Sequence, residues 1–290
     1  MSNPESTTPY IFMMMKEDDV IHRFANMKGS FVDGKGKKRF VYNPGTRKNK
    51  VLLVAHCDTV FGDNDISISF EKGAYSSKSK KTGIGADDRA GCAVLWELKD
   101  MGHSLLVVSG EESGCQGSSW MMDSDYWKKE INDTHQFVIQ IDRRDKNDIV
   151  FYDVGSPDFT KWLEHETGYK KAEGSCTDIR KLCRETCGVN FSTGYYNEHT
   201  SDEKLVYSEW VRTINTIRKL ISKDDLPKFT IQKIVYNTQY NNHLQSTVVK
   251  DVQEMLCVCR DCHHSMTYHD LFDKFHCPKC KEKNNEPASK

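Results

Sequence analysis

The sequence contains no uninterrupted apolar stretch long enough to cross a membrane. Its apolar run Tyr10–Met15 is far shorter than the roughly 20 residues that a spanning helix requires. It also has almost no net charge, because a formal charge of −1 at pH 7 gives no reason to expect a polyanionic partner such as nucleic acid. We therefore expect neither a membrane protein nor a nucleic-acid-binding one.

The basic start and apolar segment of a signal peptide are absent from the first residues. Cysteine, by contrast, is abundant, with eleven residues, an odd number. Without an export signal, a disulfide framework is not expected, and the thiols should bind metal or pack in a core. We predict a reducing, cytoplasmic location.

Three short apolar runs, Val51–Ala55, Leu105–Ser109 and Phe137–Ile141, are typical of buried parallel strands. Between and around them, apolar residues recur at helical spacing. This alternation predicts an α/β fold, with a mixed, mainly parallel sheet sandwiched by helices. The predicted helices are Glu17–Met27, Ala90–Lys99 and Leu205–Ile221.

The character of the chain changes after Ser222. We expect an α/β domain over 1–222 and a linker with a β-prone stretch over 223–254. Two Cys-x2-Cys pairs near the end of the sequence predict a small zinc ribbon with a polar tail over 255–290.

Potential metal ligands follow each predicted strand, where open α/β sheets bind their ligands. The first run is followed by His56 and Asp58, the second by Glu111 and Glu112, and the third by Asp142. Residues two apart in a strand share a face, so His56 and Asp58 can point into one pocket.

Two further candidates are Asp87, in a glycine-rich loop before a helix, and His199, in an irregular stretch. Taken singly, an Asp pair at a helix start is usually an N-cap, and a loop histidine is usually unremarkable. If five of these acidic and imidazole side chains converged without metal, their repulsion and desolvation would cost several kcal/mol. The five are His56, Asp87, Glu112, Asp142 and His199. Two divalent cations remove that cost, and they make water nucleophilic near neutral pH.

Five short motifs follow one another along the chain: AHCDTV (Ala55–Val60), GADDRAG (Gly85–Gly91), GEESGCQG (Gly110–Gly117), ID (Ile141–Asp142) and NEHTSDE (Asn197–Glu203). In this order they resemble the co-catalytic two-zinc exopeptidases, which include peptidase T, zinc aminopeptidases and related carboxypeptidases. The resemblance runs from about Glu17 to Ile221. It implies a peptidase-like catalytic domain over 1–222 and a zinc-dependent hydrolase that cleaves an amide bond.

The resemblance also implies a role for each residue. His56 and Asp142 would bind one zinc, and Glu112 and His199 the other. Asp87 would bridge the two ions, followed by a cis peptide bond to Asp88.

In the same resemblance, Glu111 would be the general base, and Asp58 would orient the His56 imidazole. Cobalt or manganese could replace zinc in the cleft. Aspartate rather than glutamate at position 142 favours an aminopeptidase acting on peptides. Carboxypeptidase or N-acyl amino acid deacylase activity, or a non-catalytic binding scaffold, are the alternatives.

Only Arg143–Glu198 separates the third-strand Asp from the final His, too little for the lid or dimerisation domain of many relatives. We therefore expect the lid-free form. The segment Gly174–Arg180 resembles a substrate-side loop, and a helix N-cap at Ser175 or Thr177 is the alternative.

Some residues near these motifs are predicted to have structural roles. Arg143 and Arg144 are interpreted as solvated surface arginines rather than ligands of a substrate carboxylate. The cysteines outside the C-terminal cluster are interpreted as small buried residues, namely Cys57, Cys92, Cys115, Cys176, Cys183 and Cys187.

The C-terminal region carries a second signal, two Cys-x2-Cys pairs separated by fourteen residues. This spacing is typical of a zinc ribbon, whose four thiolates hold one structural Zn²⁺. The predicted ligands are Cys259, Cys262, Cys277 and Cys280, with Cys257, His263, His264 and His276 as substitutes. A protein partner or self-association is the expected role of the ribbon, since its charge is nearly balanced.

Overall fold

The computed structural model describes residues 3–63, 66–79 and 81–231, and the backbone of 257–258 and 265–266. The chain divides into two compact units, Met1–Gln232 and Lys233–Lys290. The first unit continues past the predicted boundary at 222, because Thr230 forms a β-bridge with Thr186 and Phe229 packs against Phe159. Most of the β-prone stretch and all four predicted ribbon ligands lie outside the described residues.

The helices and strands follow one another in an alternating order. The α-helices are α1 (Thr8–Met14), α2 (Glu17–Ala25), α3 (Ala86–Leu98), α4 (Gln116–Met121), α5 (Asp125–Thr134), α6 (Pro157–Thr167), α7 (Ile179–Leu182) and α8 (Tyr207–Ile221). Short 3-10 helices span Pro4–Ser6, Gly36–Lys38 and Lys99–Met101. The strands of the first unit are β1 (Phe31–Asp33), β2 (Phe40–Asn43), β3 (Leu52–His56), β4 (Ile68–Glu71), β5 (Ala74–Ser77), β6 (Ser104–Val108), β7 (Val138–Arg143), β8 (Asp148–Val150), β9 (Lys170–Lys171), β10 (Gly188–Ser192), β11 (Tyr195–Tyr196) and β12 (Lys204–Val206). In the second unit, β13 (Cys257–Val258) pairs antiparallel with β14 (Ser265–Met266).

The larger sheet has the order β1-β2-β6-β3-β7-β10-β8-β9. Its centre is parallel, because β3 pairs with both β6 and β7, and β10 pairs with β7, in the parallel sense. Strands β1, β2 and β8 make antiparallel pairs nearer the edges. The prediction of an α/β fold with a mixed, mainly parallel sheet is confirmed, and the three apolar runs form β3, β6 and β7.

Alternate residues of the central strands pack on opposite faces of the sheet, as the two-residue period of a strand requires. Helices α1, α2, α3 and α8 pack against one face of the sheet, and helices α4, α5 and α7 pack against the other. The first face takes Leu53, Ala55, Leu105, Val107, Ile139 and Ile141, and the second takes Leu52, Val54, Leu106, Val108 and Val138. Helices therefore cover both faces, and the carboxyl ends of β3, β6 and β7 lie at one edge.

A smaller sheet, β11-β12-β5-β4, borders this edge. Its strand β12 occupies Lys204–Val206, where helix had been predicted from Leu205, so that prediction is wrong at its start. The pairing of β12 with β5 explains the difference, since a three-residue strand is too short to show a period in the sequence. From Tyr207 to Ile221 the predicted amphipathic helix is confirmed, with Trp210, Ile214 and Ile217 buried.

Among the described residues, no helix combines the length and the apolar character needed to cross a membrane.

His103 connects the start of β3 to the end of α8 and is 2% exposed. Its Nδ1 accepts the Val51 N–H at 3.1 Å, and its Nε2 donates to the Ile221 carbonyl at 2.9 Å. Burial lowers the pKa of His103 to about 4, so the neutral ring is the form that fits. Protonation would remove the acceptor that Val51 uses.

Acid should therefore destabilise the fold through His103. The unfolded imidazole takes up its proton near its ordinary pKa of about 6.5 and the folded one only near 4. The contribution of His103 to the free energy of unfolding is fully present above the unfolded pKa of about 6.5. It falls by roughly 3 kcal/mol as the pH drops towards the folded pKa of about 4. Urea unfolding between pH 7.5 and 4 should show a shallower pH dependence in His103→Gln. The exposed His165→Gln should keep the wild-type slope, and equal slopes in all three proteins would contradict the assignment.

Candidate metal centre

The five predicted ligand side chains meet at the carboxyl edge of the central strands. Asp87 lies between the two histidines: its Oδ1 is 3.2 Å from His56 Nε2, and its Oδ2 is 3.1 Å from His199 Nε2. Beyond His56 lies Asp142, whose Oδ1 is 3.4 Å from the same Nε2. Beyond His199 lies Glu112, whose Oε1 is 3.0 Å from that ring. The cluster therefore has two halves that share one carboxylate.

Asp58 contacts the ring nitrogen of His56 that faces away from the cluster. His56 Nδ1 lies 3.0 Å from the Asp58 carbonyl oxygen and 3.4 Å from its carboxylate Oδ1. The same carboxylate accepts the Glu111 backbone N–H at 3.2 Å. This arrangement suits a metal ligand, because Nδ1 can donate to Asp58 and leaves Nε2 facing the cluster.

The glycine-rich loop reaches the cluster through an irregular backbone at the start of α3. Gly85 has a φ of +67°, in the left-handed region that favours glycine. Asp87 and Asp88 depart from helical φ/ψ values, and the peptide bond between them is cis, as the resemblance predicted. Gly91 lets α3 approach β7, since a Cβ there would lie 2.1 Å from the Ile141 carbonyl oxygen.

Asp88 also lies close enough to His56 and Asp142 to form a group of donors within 4.8 Å of one another. Both of its carboxylate oxygens, however, accept backbone N–H groups, from Gly91 at 3.0 Å and from His56 at 3.2 Å. We interpret Asp88 as a support for the loop. The second such group, His56, Asp87 and Glu112, contains three of the predicted ligands.

Glu203 supports the same loop from the opposite side and was not predicted as a site residue. Its carboxylate accepts the backbone N–H groups of Ile84 at 2.7 Å, Gly85 at 2.9 Å and Asp87 at 3.0 Å. It is 2% exposed, and burial raises the pKa of Glu203 to about 7. The residue lies in the NEHTSDE motif, but its partners are more than a hundred residues away in sequence.

Asp142 is held by three side chains. Its Oδ2 accepts from Gln140 Nε2 at 3.0 Å and from Thr177 Oγ1 at 2.8 Å, and its Oδ1 accepts from the Tyr195 hydroxyl at 3.2 Å. The N-cap of α7 is Asp178, so the alternative N-cap at Ser175 or Thr177 is wrong. The segment Gly174–Arg180 instead brings Thr177 to a predicted metal ligand.

The arginines after Asp142 are paired with acidic side chains. Arg143 Nη2 lies 3.7 Å from Asp148 Oδ2, and Arg144 Nη1 lies 2.6 Å from Glu198 Oε1. Both line the cleft, which has a volume of about 310 Å³.

Glu111 faces the cleft without belonging to either half of the ligand cluster. Burial raises the pKa of Glu111 to about 9 and that of Asp142 to about 6, and neighbouring carboxylates add to the first shift. Burial opposes a charge on His56, yet the Asp142, Asp58 and Asp87 carboxylates raise its pKa well above the ordinary value. In a metal-free protein, protons on the histidines would therefore offset part of the repulsion among these carboxylates.

This donor set fits zinc. Imidazole nitrogen and carboxylate oxygen are zinc ligands, and a catalytic site keeps one side open to solvent. The five side chains supply two nitrogens and three carboxylates around one open cleft. Divalent cations would neutralise the repulsion among these carboxylates.

Residues 40–180 match the sequence profile of peptidase family M28. The predicted relationship to the zinc exopeptidases is confirmed. The matched range contains every predicted cleft residue except His199. No curated protein sequence matches the chain.

Solved structures share the zinc exopeptidase fold at low identity. Aminopeptidase PepT from Bacillus cereus is 15% identical, with a TM-score of 0.56, and the match covers 76% of this chain and 98% of that one. A tripeptidase from Staphylococcus aureus is 13% identical, with a TM-score of 0.57 and coverages of 74% and 96%. An aminopeptidase from the archaeon Desulfurococcus kamchatkensis is 12% identical, with a TM-score of 0.55 and coverages of 79% and 98%.

Removing the Glu203 carboxylate should loosen the loop that carries Asp87. In Glu203→Ala, three buried N–H groups lose their acceptor, and each unsatisfied group costs about 1–3 kcal/mol. We expect a lower unfolding midpoint in urea together with weaker zinc binding by calorimetry. The neighbouring exposed Asp202→Ala is the matched control and should change neither quantity. Normal zinc affinity in Glu203→Ala would contradict a role in placing Asp87.

Proposed function

We propose that this chain is a zinc aminopeptidase that releases the N-terminal residue of peptides, using two metal ions in the cleft. The observation that carries the proposal is the position of Asp87, with one carboxylate oxygen towards each histidine. A carboxylate shared in this way suits two ions roughly 3.5–4 Å apart, the spacing of two-metal hydrolases.

Each half of the cluster supplies ligands for one ion. His56 and Asp142 would hold the first, Glu112 and His199 the second, and Asp87 both. Bound zinc would polarise the scissile carbonyl and lower the pKa of water. The contacts of His56 with Asp58 and of Asp142 with Thr177 support this assignment, because ligands are usually oriented by such hydrogen bonds.

Glu111 is the proposed general base. Its side chain lines the cleft beside Asp87 and Asp142, and the contact between its backbone N–H and Asp58 fixes its position next to His56. The carboxylate would take a proton from the attacking water and deliver it to the departing amine.

The related structures described as an aminopeptidase and a tripeptidase support an exopeptidase that acts on peptides. Purified, zinc-loaded protein should be profiled against aminoacyl amides, N-acyl amino acids and N-blocked peptides with a free C-terminus. Hydrolysis of the first class alone supports the proposal. Turnover of only the second or third class would assign a deacylase or a carboxypeptidase, and no turnover by protein that contains metal would favour a binding scaffold.

We further propose a third, structural zinc in the ribbon, held by Cys259, Cys262, Cys277 and Cys280. Metal analysis of the full chain should then give about three zinc ions, and Cys259→Ser combined with Cys277→Ser should give about two. The ribbon would serve a protein partner or self-association, which chromatography of the same variant tests. The cysteines of the first unit are free, in keeping with a reducing, cytoplasmic location.

A further inference from the structure

Two cysteines from distant parts of the chain meet at the wall of the cleft. Cys115 precedes α4 with a φ of +57° and is buried, and Cys176 lies in the loop before α7 and is exposed. The two thiols lie close enough to affect each other's protonation, because Cys176 raises the pKa of Cys115 and Cys115 lowers the pKa of Cys176. The prediction that Cys176 is a small buried residue is therefore wrong, because the loop turns it towards solvent at the mouth of the cleft.

The pair adjoins the proposed general base. Cys115 Sγ lies 3.7 Å from Glu111 Oε1, and Cys176 lines the same cavity as Glu111. The next residue, Thr177, donates to Asp142. The segment that carries Cys176 is therefore connected to a proposed metal ligand, and Cys115 contacts the base.

The other cysteines of the first unit have no such access. Cys57 and Cys92 donate to the carbonyl oxygens of Val108 and His56 inside the core, and burial raises the pKa of both thiols well above the ordinary value. Burial also raises the pKa of Cys187, to about 11. At Cys176, the Cys115 thiol and the nearby Arg180 and Lys181 lower the pKa to about 6. Thiolate character and exposure are what make a cysteine react with oxidants.

We propose that Cys115 and Cys176 are an oxidant-sensitive thiol pair, a modification site at which a peroxide forms a disulfide that inactivates the cleft. The thiolate of Cys176 attacks one peroxide oxygen, which gives a sulfenic acid and, from hydrogen peroxide and one proton, water. The sulfur of Cys115 then attacks the sulfenic sulfur, and its proton leaves with the hydroxyl group as a second water. In sum, two thiols are oxidised to one disulfide and hydrogen peroxide is reduced to two water molecules.

The disulfide would act on catalysis through two contacts. Bond formation removes the Cys115 S–H group beside Glu111 Oε1. It also ties the loop of Cys176 to the start of α4, and Thr177 transmits any shift of this loop to Asp142. A displacement of about 1 Å among reacting groups can cost about 100-fold in rate. We expect a loss of this size in the oxidised protein, and recovery after reduction with dithiothreitol.

The test uses the zinc-loaded full chain, hydrogen peroxide and two readouts. Mass spectrometry of a non-reduced digest should contain a linked peptide pair with Cys115 and Cys176, and peptidase activity should fall as that pair accumulates. Cys176→Ser and Cys115→Ser should each keep the rate that they have before treatment, and Cys187→Ser should be inactivated like the wild type. Absence of the linked pair, or equally fast inactivation of Cys176→Ser, would overturn the proposal.

The activity readout depends on the proposed function, whereas the linked peptides are detected without any turnover. Protein that is inactive before treatment but forms the link would refute the aminopeptidase assignment and support the thiol pair. Protein that is active but forms no link would support the aminopeptidase assignment and refute the thiol pair.

Discussion

Replacing Glu111 with glutamine should lower kcat for an aminoacyl substrate about 1,000-fold, the scale on which general bases contribute. This factor corresponds to a barrier increase of roughly 4 kcal/mol. Glutamine has the size of glutamate but cannot accept the proton of the attacking water. Because Glu111 is not a proposed ligand, zinc content should stay at the wild-type value.

The matched control is Glu97→Gln, which makes the same chemical change at an exposed position of α3. It should leave both kcat and zinc content as they are. If Glu111→Gln turns over peptide at the wild-type rate, the proposed base is wrong. If it loses zinc instead, Glu111 belongs to the ligands.

The second large effect is expected from Asp87→Ala, which removes the carboxylate that both histidines face. Loss of residues that only orient a ligand already weakens metal binding about 10–100-fold, and a shared ligand should cost more in both halves. Calorimetric titration with zinc should therefore show weaker binding at both positions, with activity lost in parallel. The expected signature is that neither ion is retained on dialysis.

Asp142→Ala and His199→Ala serve as comparisons, because each belongs to only one half of the cluster. Each should lose chiefly one ion. Retention of one tightly bound ion by Asp87→Ala would show that the carboxylate is not shared and would leave the two-ion proposal without its basis.

The sequence was sufficient for the central strands and for the residues at their ends. Strands buried on both faces are continuous apolar runs, so Val51–Ala55 and Leu105–Ser109 differ from the observed β3 and β6 by one residue at each end. The parallel direction of these strands then requires that the residues after them lie at one edge. His56 and Asp142 could be brought together by this argument alone.

The supports of the site could not be predicted, because they depend on contacts between distant segments. Glu203 accepts from Ile84, Gly85 and Asp87 across more than a hundred residues, and no local pattern marks that pairing. The start of α3 was also not predicted correctly. A period of 3.6 residues placed the start at Ala90, but the helix is assigned from Ala86, through two residues whose backbone is not helical.

The exposure of Cys176 was also beyond the sequence. Cysteine is more often buried than exposed, and the segment around it offers only small polar residues. Only the fold shows that this loop passes the start of α4, where Cys115 lies.

The unequal exposure of the two histidines has a consequence for zinc supply. His56 is 1% exposed, whereas the His199 side chain is 49% exposed and belongs to an irregular loop. An ion beside His199 should exchange with solution faster than one beside His56, so a chelator should withdraw zinc from the cleft in two phases. At low zinc concentration the protein would keep the ion beside His56 and lose the one beside His199. Its peptidase activity would then depend on the zinc concentration more than on the protein concentration.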